Sequence, residues 1–378
     1  MERGSMIKIL FFLPSLTGGG AERTIVNIAN GLDRSKYKVH LLLLDRPTEG
    51  KYKDEYSHLL YEDICVHNLK IKICKKNYLR LLLGMRKVIK DIGPDIAMST
   101  MLRPNIMLTI ALKLSGFKGK TVLRESNNRT ATKIRWIERK AIRYIYGRFA
   151  DKAVALSEGV KLDLCKNYEV PPNRIQVIYN PIDLKAIEAL SKDVVDLSGE
   201  NKLISAGRFT EQKDYPTLLK ALSILRNQVN FRMIILGKGE LESQIKEIIK
   251  NEDLEQYITL IGFQANPYKY IHNSDIFILS SAWEGFGHVI VEAMACGAVV
   301  ISTDCPYGPS EIITDHVNGI LVPVGDYQGI ADAVVEVLQD INLREKIRSN
   351  ALKRAQDFER DKIVKQYEDM FENIMILS

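Results

Sequence analysis

The chain is 378 residues long, 46% hydrophobic and 26% charged, with a mean hydropathy of −0.10. That is a soluble globular composition long enough for two domains, and it excludes a disordered or fibrous chain. No apolar run approaches the roughly 20 residues that a membrane-spanning helix needs. The net charge of +6 is unevenly spread, at +16 over residues 1–185 and −10 over the rest. The basic half is therefore expected to face something anionic: a membrane surface, a phosphorylated acceptor or nucleic acid.

Met1 to Ser5 carries no pattern and is set aside from the fold. Short apolar runs then alternate with longer helical patterns: strands are expected over Ile7 to Leu16, Lys38 to Leu44, Asp95 to Ser99, Thr121 to Leu123 and Lys152 to Leu156. This βαβ rhythm implies a parallel sheet. It breaks at Asn180-Pro181 and restarts with Leu203 to Ala206, Phe231 to Leu236, Ile258 to Gly262, Asp275 to Ser280 and Ala298 to Ser302. A second doubly wound unit follows, with ligands expected beyond the carboxyl ends of its strands. Leu343 to Asp357 and Arg360 to Met375 read as charged amphipathic helices. The five cysteines are odd in number and form no C-x-x-C pair, so neither a disulfide framework nor a zinc site is expected; Cys296 reads as a small buried side chain. A reducing cytoplasm fits.

Three constellations sit where strands end. Thr17-Gly18-Gly19-Gly20-Ala21-Glu22-Arg23 follows the first strand and opens a helix. It lacks the spaced glycines of dinucleotide binding, and reads either as an amide cradle for an anion or as a tight turn. Next, Arg208 and Lys213 in Gly207-Arg208-Phe209-Thr210-Glu211-Gln212-Lys213 can reach a diphosphate, one as a fork and the other as a point charge, or be a solvated pair. Finally, Glu284 lies in Trp283-Glu284-Gly285-Phe286-Gly287-His288, with Glu292 eight residues later on a helix. Two carboxylates there can accept from sugar hydroxyls, serve as acid and base of a hydrolase, or be surface acids.

These residues resemble the retaining nucleotide-sugar glycosyltransferases of the GT-B fold, in their fourth family. The matching elements are Gly19-Gly20-Ala21-Glu22-Arg23, Asn180-Pro181-Ile182-Asp183, Gly207-Arg208 with Lys213, Gly237-Lys238-Gly239-Glu240 and Ile261-Gly262-Phe263. Glu284 with Glu292, Glu311, and Asn318-Gly319-Ile320-Leu321-Val322 complete the set. The resemblance implies an α/β GT-B fold: two doubly wound Rossmann-like domains facing an interdomain cleft. An acceptor domain is expected over 6–185, a donor domain over 186–357 and a C-terminal helix over 358–378 that crosses back to the first domain.

The resemblance also implies roles. Arg208, Lys213 and Glu284 carry the chemistry, the two cations on the donor diphosphate and Glu284 on the sugar. Gly19, Gly20, Gly207, Phe286, Gly287 and His288 line the donor. Glu292 takes the ribose, and Gly262, Phe263 and Gln264 read the base. No metal or other cofactor is implied, and no D-x-D motif is present. Glu125, Ser126 and Asn127 are the acceptor-side candidates, with Ser126 standing where many relatives place a histidine. A serine cannot act as a histidine would.

The segments from Lys70 to Lys90 and from Lys133 to Arg148 combine cations with Leu79, Leu83, Trp136 and Tyr144, a pattern suited to an anionic membrane interface. The alternative is that their apolar residues pack into the core and the charges are merely solvated. The expected enzyme is thus a cytoplasmic transferase, peripheral at the inner face of the cell membrane. It would pass a hexose or N-acetylhexosamine from a nucleoside diphosphate, expected to be UDP, to a polyprenyl-diphosphate-linked sugar in glycan or polysaccharide assembly. Other GT-B enzymes (an epimerase, a phosphorylase or an inverting transferase) remain as alternatives. A nucleic-acid-binding protein explains the basic half but leaves the Glu284 loop without a purpose, so nucleic acid is not expected as a partner.

Overall fold

The aliphatic runs of the first half form one parallel sheet: β1 (Ile7–Leu13), β2 (Tyr37–Leu43), β3 (Cys65–Asn68), β4 (Ile96–Thr100), β5 (Lys120–Glu125), β6 (Lys152–Ala155) and β7 (Ile175–Val177). Their order is β3-β2-β1-β4-β5-β6-β7. The computed structural model describes residues 6–17, 19–46, 54–72, 74–126, 136–195, 197 and 199–376. β1 and β4 are almost entirely buried, as a parallel sheet covered on both faces requires. The covering helices are α1 (Gly20–Gly31), α2 (Tyr78–Ile92), α3 (Leu102–Ser115), α4 (Trp136–Tyr144), which runs into a π-helical turn at Ile145–Phe149, and α5 (Glu158–Tyr168). Gly93 and Gly116, at φ 56° and 72°, end α2 and α3 in the left-handed conformation.

A second parallel sheet, in the order β10-β9-β8-β11-β12-β13, comprises β8 (Lys202–Ala206), β9 (Arg232–Leu236), β10 (Ile258–Gly262), β11 (Ile276–Leu279), β12 (Val299–Thr303) and β13 (Ile320–Val322). Around it run α6 (Leu184–Ser191), α7 (Tyr215–Leu225), α8 (Glu242–Asn251), α9 (Tyr268–His272), α10 (His288–Ala295), α11 (Pro309–Ile312), α12 (Tyr327–Gln339) and α13 (Ile341–Ala355). Residues 182–359 form this unit. The other unit takes residues 1–181 and also 360–378, so the last helix, α14 (Arg360–Ile376), belongs to the first sheet. There Val364, Tyr367 and Phe371 join a core with Ile9, Phe11 and Val122. Gly31 makes room for α14, since a Cβ on it would lie 2.7 Å from Val364 Cγ2.

Three strands, β3, β7 and β13, were not anticipated from the sequence. Each has three or four residues and stands at a sheet edge. At three or four residues each is at or below the length at which an apolar run reads as a strand, although Ile320–Val322 is wholly apolar. Among the described residues no helix is long and apolar enough to cross a membrane.

His40, buried on β2, and the half-buried His67 on β3 are expected to make the first unit acid-sensitive. The rings of His40 and His67 stack 5.3 Å apart, with Nδ1 of the first 3.0 Å from Nε2 of the second. Burial, followed by the His67 and Lys38 charges, pushes the His40 pKa down to about 4, and burial lowers that of His67. A histidine held below its unfolded value of roughly 6.5 stabilises the fold above that pH, and the stability is lost as pH falls towards the folded value. Between about pH 7 and pH 4, the wild type is expected to lose on the order of 2–3 kcal/mol more than His40→Leu. Urea midpoints at the two pH values measure the difference; equal losses would remove His40 from the account.

Candidate active site

In the second unit two glycine-rich loops close on each other at the strand ends. Gly207 N–H donates to the Leu236 carbonyl at 3.0 Å, Phe209 N–H to that of Lys238 at 3.1 Å, and Leu241 N–H to that of Phe209 at 3.1 Å. A Cβ on Gly237, which has φ 150°, would collide with the Gly207 carbonyl oxygen, and one on Gly239 with that of Phe209. Glycine is required at these positions because backbone meets backbone. The contact holds Arg208 on an exposed loop, where it makes no ion pair among the described residues.

After Arg208 a 3₁₀ turn over Glu211–Lys213 brings Lys213 back towards the sheet. Asp214 follows in the left-handed region, at φ 42°, and its carboxylate accepts from Thr217 N–H and Oγ1, capping α7 ahead of Pro216. Lys213 Nζ lies 2.5 Å from Glu284 Oε1, and both side chains are largely buried. Sequence reasoning singled out both residues, though not as partners of each other, and none of their supports. Ser281 Oγ donates to the same Glu284 oxygen at 2.8 Å. Ser280 Oγ donates to the Lys213 carbonyl at 2.8 Å, Gln212 Nε2 to that of Trp283 at 3.0 Å, and Ala282 N–H to that of Gln212 at 2.9 Å. Residues 212–213 and 280–284 are thereby laced into one block. Ser281 and Gln212 lay inside the quoted motifs, but nothing in their spacing told a bracing role from a surface one.

Gly287, at φ 91°, precedes α10, and Gly308 lies so close that a Cβ on it would be 2.6 Å from the Phe286 carbonyl oxygen. Phe286 is buried edge-on to His288, with ring centres 5.8 Å apart, and to Phe358 at 5.3 Å. Glu292, also buried, faces the Tyr268 hydroxyl at 3.5 Å. Gly262 accepts from Gly237 N–H at 2.9 Å, while Phe263 is half exposed with Lys238 Nζ 4.7 Å from its ring centre. Gln264 accepts from the Tyr270 hydroxyl at 3.3 Å. Cys305 is no nucleophile here: burial and the Glu284 charge push its thiol up to about 12. Burial likewise raises Cys296.

Gly19, Gly20, Glu125 and Ser126 lie in the first unit; Asn127 and Gly18 fall outside the described residues, as does the 127–135 stretch containing Lys133. At the start of α1 the Glu22 carboxylate folds back onto Gly19, filling the space a Cβ would occupy. A glutamate three residues into a helix is suited to this, since it brings an acceptor to unpaired amides. Glu125 ends β5 fully buried and accepts from the Tyr146 hydroxyl at 2.8 Å and from Ser126 N–H at 3.0 Å. Its neighbour Arg124 is equally buried, donating to Thr100 Oγ1 at 3.0 Å and to Asn180 Oδ1.

Comparison with known proteins shows the family. The profile described as glycosyltransferase family 4 matches residues 18–186, and that of glycosyl transferases group 1 matches residues 187–354. Two relatives from Campylobacter jejuni are α-N-acetylgalactosaminyltransferases whose names specify undecaprenol-diphosphate-linked glycans. One is 29% identical, covering 95% of this chain and 98% of its own; the other is 27% identical, covering 94% and 95%. The crystal structure of Anabaena HepE with UDP superposes with a TM-score of 0.82 at 22% identity, covering 97% of this chain and all of that one. The chain belongs to glycosyltransferase family 4, the glycosyl transferases of group 1, and has their GT-B fold.

Proposed function

We propose that this glycosyltransferase moves a hexose or N-acetylhexosamine from a UDP-linked donor, with retention, to a sugar carried on a polyprenyl diphosphate. The second unit takes the donor and the first the acceptor, at the anionic inner face of the cell membrane. The observation that carries this reading is the braced Lys213–Glu284 pair on the loop of an exposed Arg208 that has no counter-ion among the described residues. A buried cation and an exposed one on the same loop suit a diphosphate whose charge grows as it leaves. The bond from the anomeric carbon to the diphosphate oxygen breaks, and the acceptor oxygen bonds on the same face. The acceptor proton passes to a donor phosphate oxygen. Glu284 accepts from donor sugar hydroxyls, and Phe286, Gly287 and His288 offer amides to sugar and phosphate. Glu292 takes the ribose, and Gly262, Phe263 and Gln264 border the base. Gly19 and Gly20, at the start of α1, are assigned to the donor as well.

UDP bound to HepE and the lipid-linked glycans in the names of the Campylobacter relatives support the choice of substrates. Support for the membrane comes from one helical layer. Helices α2, α3 and α4 with its π turn carry ten Lys and Arg against Asp91 and Glu138, whereas α1 and α14 carry four against five acids. Leu79, Leu83, Trp136 and Ile137 are all more than half exposed on the cationic layer. Exposed leucine and tryptophan among lysine and arginine match an anionic lipid surface.

Two measurements test the proposal. In a thermal-shift panel of UDP, GDP and ADP, only UDP at about a hundred times its Kd is expected to raise Tm, by roughly 5 °C. No shift with any of them would overturn the donor assignment. In flotation, the full chain is expected to bind vesicles containing phosphatidylglycerol and to leave them in high salt. Replacing Arg86, Lys87 and Lys90 by glutamate should cut binding by about two orders of magnitude, at about 1 kcal/mol for each cation removed. Equal binding to neutral vesicles would overturn the membrane assignment.

A further inference from the structure

Several features at the carboxyl edge of the first sheet converge on the end of β5. Strand order reverses between β1 and β4, so the carboxyl ends of these two strands mark the topological switch point where open parallel sheets take ligands, and β5 is the next strand along. Met101, the residue after β4, has φ 72°, a conformation that strains a non-glycine side chain. Tyr146 lies in the π-helical turn, a form that is rare and frequent at functional sites.

These features are wired together. Ser99 Oγ donates to Asn105 Oδ1 at 2.5 Å, and Asn105 Nδ2 donates to the Tyr146 hydroxyl at 2.7 Å and to the Arg124 carbonyl at 2.9 Å. Met101 N–H reaches that same carbonyl at 3.1 Å. Tyr146 then donates to Glu125 Oε2 while Ser126 N–H takes Oε1. On the opposite face of the strand, Arg124 is pinned by Thr100 and Asn180, so the last two residues of β5 are both fully buried and both held. Two charges taken wholly out of water are costly, and packing alone would be served better by apolar residues. The network fixes the direction in which the chain leaves the sheet at Ser126, which is half-buried and is the first residue past the strand.

We propose that Tyr146 and Asn105 are positioning residues that clamp Glu125, so that the Ser126 hydroxyl is presented to a hydroxyl group of the acceptor sugar. The inference rests on the reading that the first unit takes the acceptor. A serine hydroxyl both donates and accepts, so a fixed one can orient a sugar hydroxyl where a histidine would act by charge or proton transfer.

The test combines amide hydrogen exchange with acceptor kinetics on the full chain, using UDP-N-acetylgalactosamine and farnesyl-diphosphate-linked N-acetylgalactosamine. Tyr146→Phe keeps the ring and removes only the hydroxyl. It is expected to speed exchange at the Ser126 amide about tenfold and to raise the acceptor KM by a similar factor, with UDP affinity unchanged. Ser126→Ala should raise the same KM and leave exchange in β5 as it was. Unaltered exchange in Tyr146→Phe would overturn the clamp. Faster exchange with an unaltered acceptor KM, or a fall in Tm alone, would reduce the network to a structural one. UDP affinity reads the donor assignment separately, and the exchange arm reads the clamp whatever sugar is transferred.

Discussion

Arg208→Ala is expected to lower kcat by two to three orders of magnitude while leaving Tm unchanged. The side chain is exposed and makes no ion pair among the described residues, so its removal costs the fold no contact, and surface changes of this kind stay within about 0.5 kcal/mol. Any large loss must then come from the charge that develops on the departing diphosphate, where removing a single oriented donor costs roughly 10²–10³ in rate. Lys213→Met should lose as much activity but behave differently in the fold. It strands Glu284, largely buried and 2.5 Å from the lysine it would lose, with the Ser281 hydroxyl as its remaining side-chain donor among the described residues. Removing one partner of a buried pair costs about 3–5 kcal/mol, less here because Lys213 is partly exposed. The double variant Lys213→Met/Glu284→Gln should recover most of that stability and none of the rate. Urea melts and UDP release read the two effects. An Arg208→Ala enzyme within threefold of wild type would sink the diphosphate role, and a Lys213→Met enzyme as stable as wild type would mean that the pair contributes nothing to the fold.

The elements legible in the sequence were those whose signal is one of burial. Central strands such as β1 and β4 are buried almost throughout, so their apolar runs are continuous, whereas β3, β7 and β13 have only three or four residues and are too short to give such a run. The loops were legible through their glycines, and the fold supplies the reason: Gly237 and Gly239 lie against the backbone of Gly207 and Phe209. Charge was read less well. Arg124 enters the +16 of the first half as one more surface cation, yet it is among the largest fully buried side chains. Its partners Thr100 and Asn180 lie 24 and 56 residues away, a pairing that neither periodicity nor spacing encodes. For the same reason the two basic segments gave no hint that α3 lies between them to form one cationic layer. Asn180 could be read as a motif at a junction, but its use as acceptor for a buried guanidinium appears only once β5 and the junction are placed together.

Gly237→Ala should be among the most damaging single-methyl changes in the second unit. The position combines φ 150° with a Cβ that would run into the Gly207 carbonyl, and that carbonyl belongs to rigid backbone that cannot swing aside. Three backbone hydrogen bonds, Gly207 to Leu236, Phe209 to Lys238 and Leu241 to Phe209, would have to shift together, and with them the loop that presents Arg208. Strain of this kind is expected to cost about 3 kcal/mol. Because the displaced loop is the one assigned to the diphosphate, UDP affinity should fall by at least tenfold in the protein that remains folded. Gly325→Ala is the matched control. It too has a positive φ, 78°, but a Cβ there meets nothing within 4 Å, so only the conformational cost of roughly 1–2 kcal/mol remains and UDP affinity should be untouched. If both variants lose equal stability and both keep UDP affinity, the close approach of the two loops is not what holds Arg208 in place. If Gly237→Ala alone loses affinity, the glycine loop acts by setting the position of the arginine beside it, without itself touching the donor.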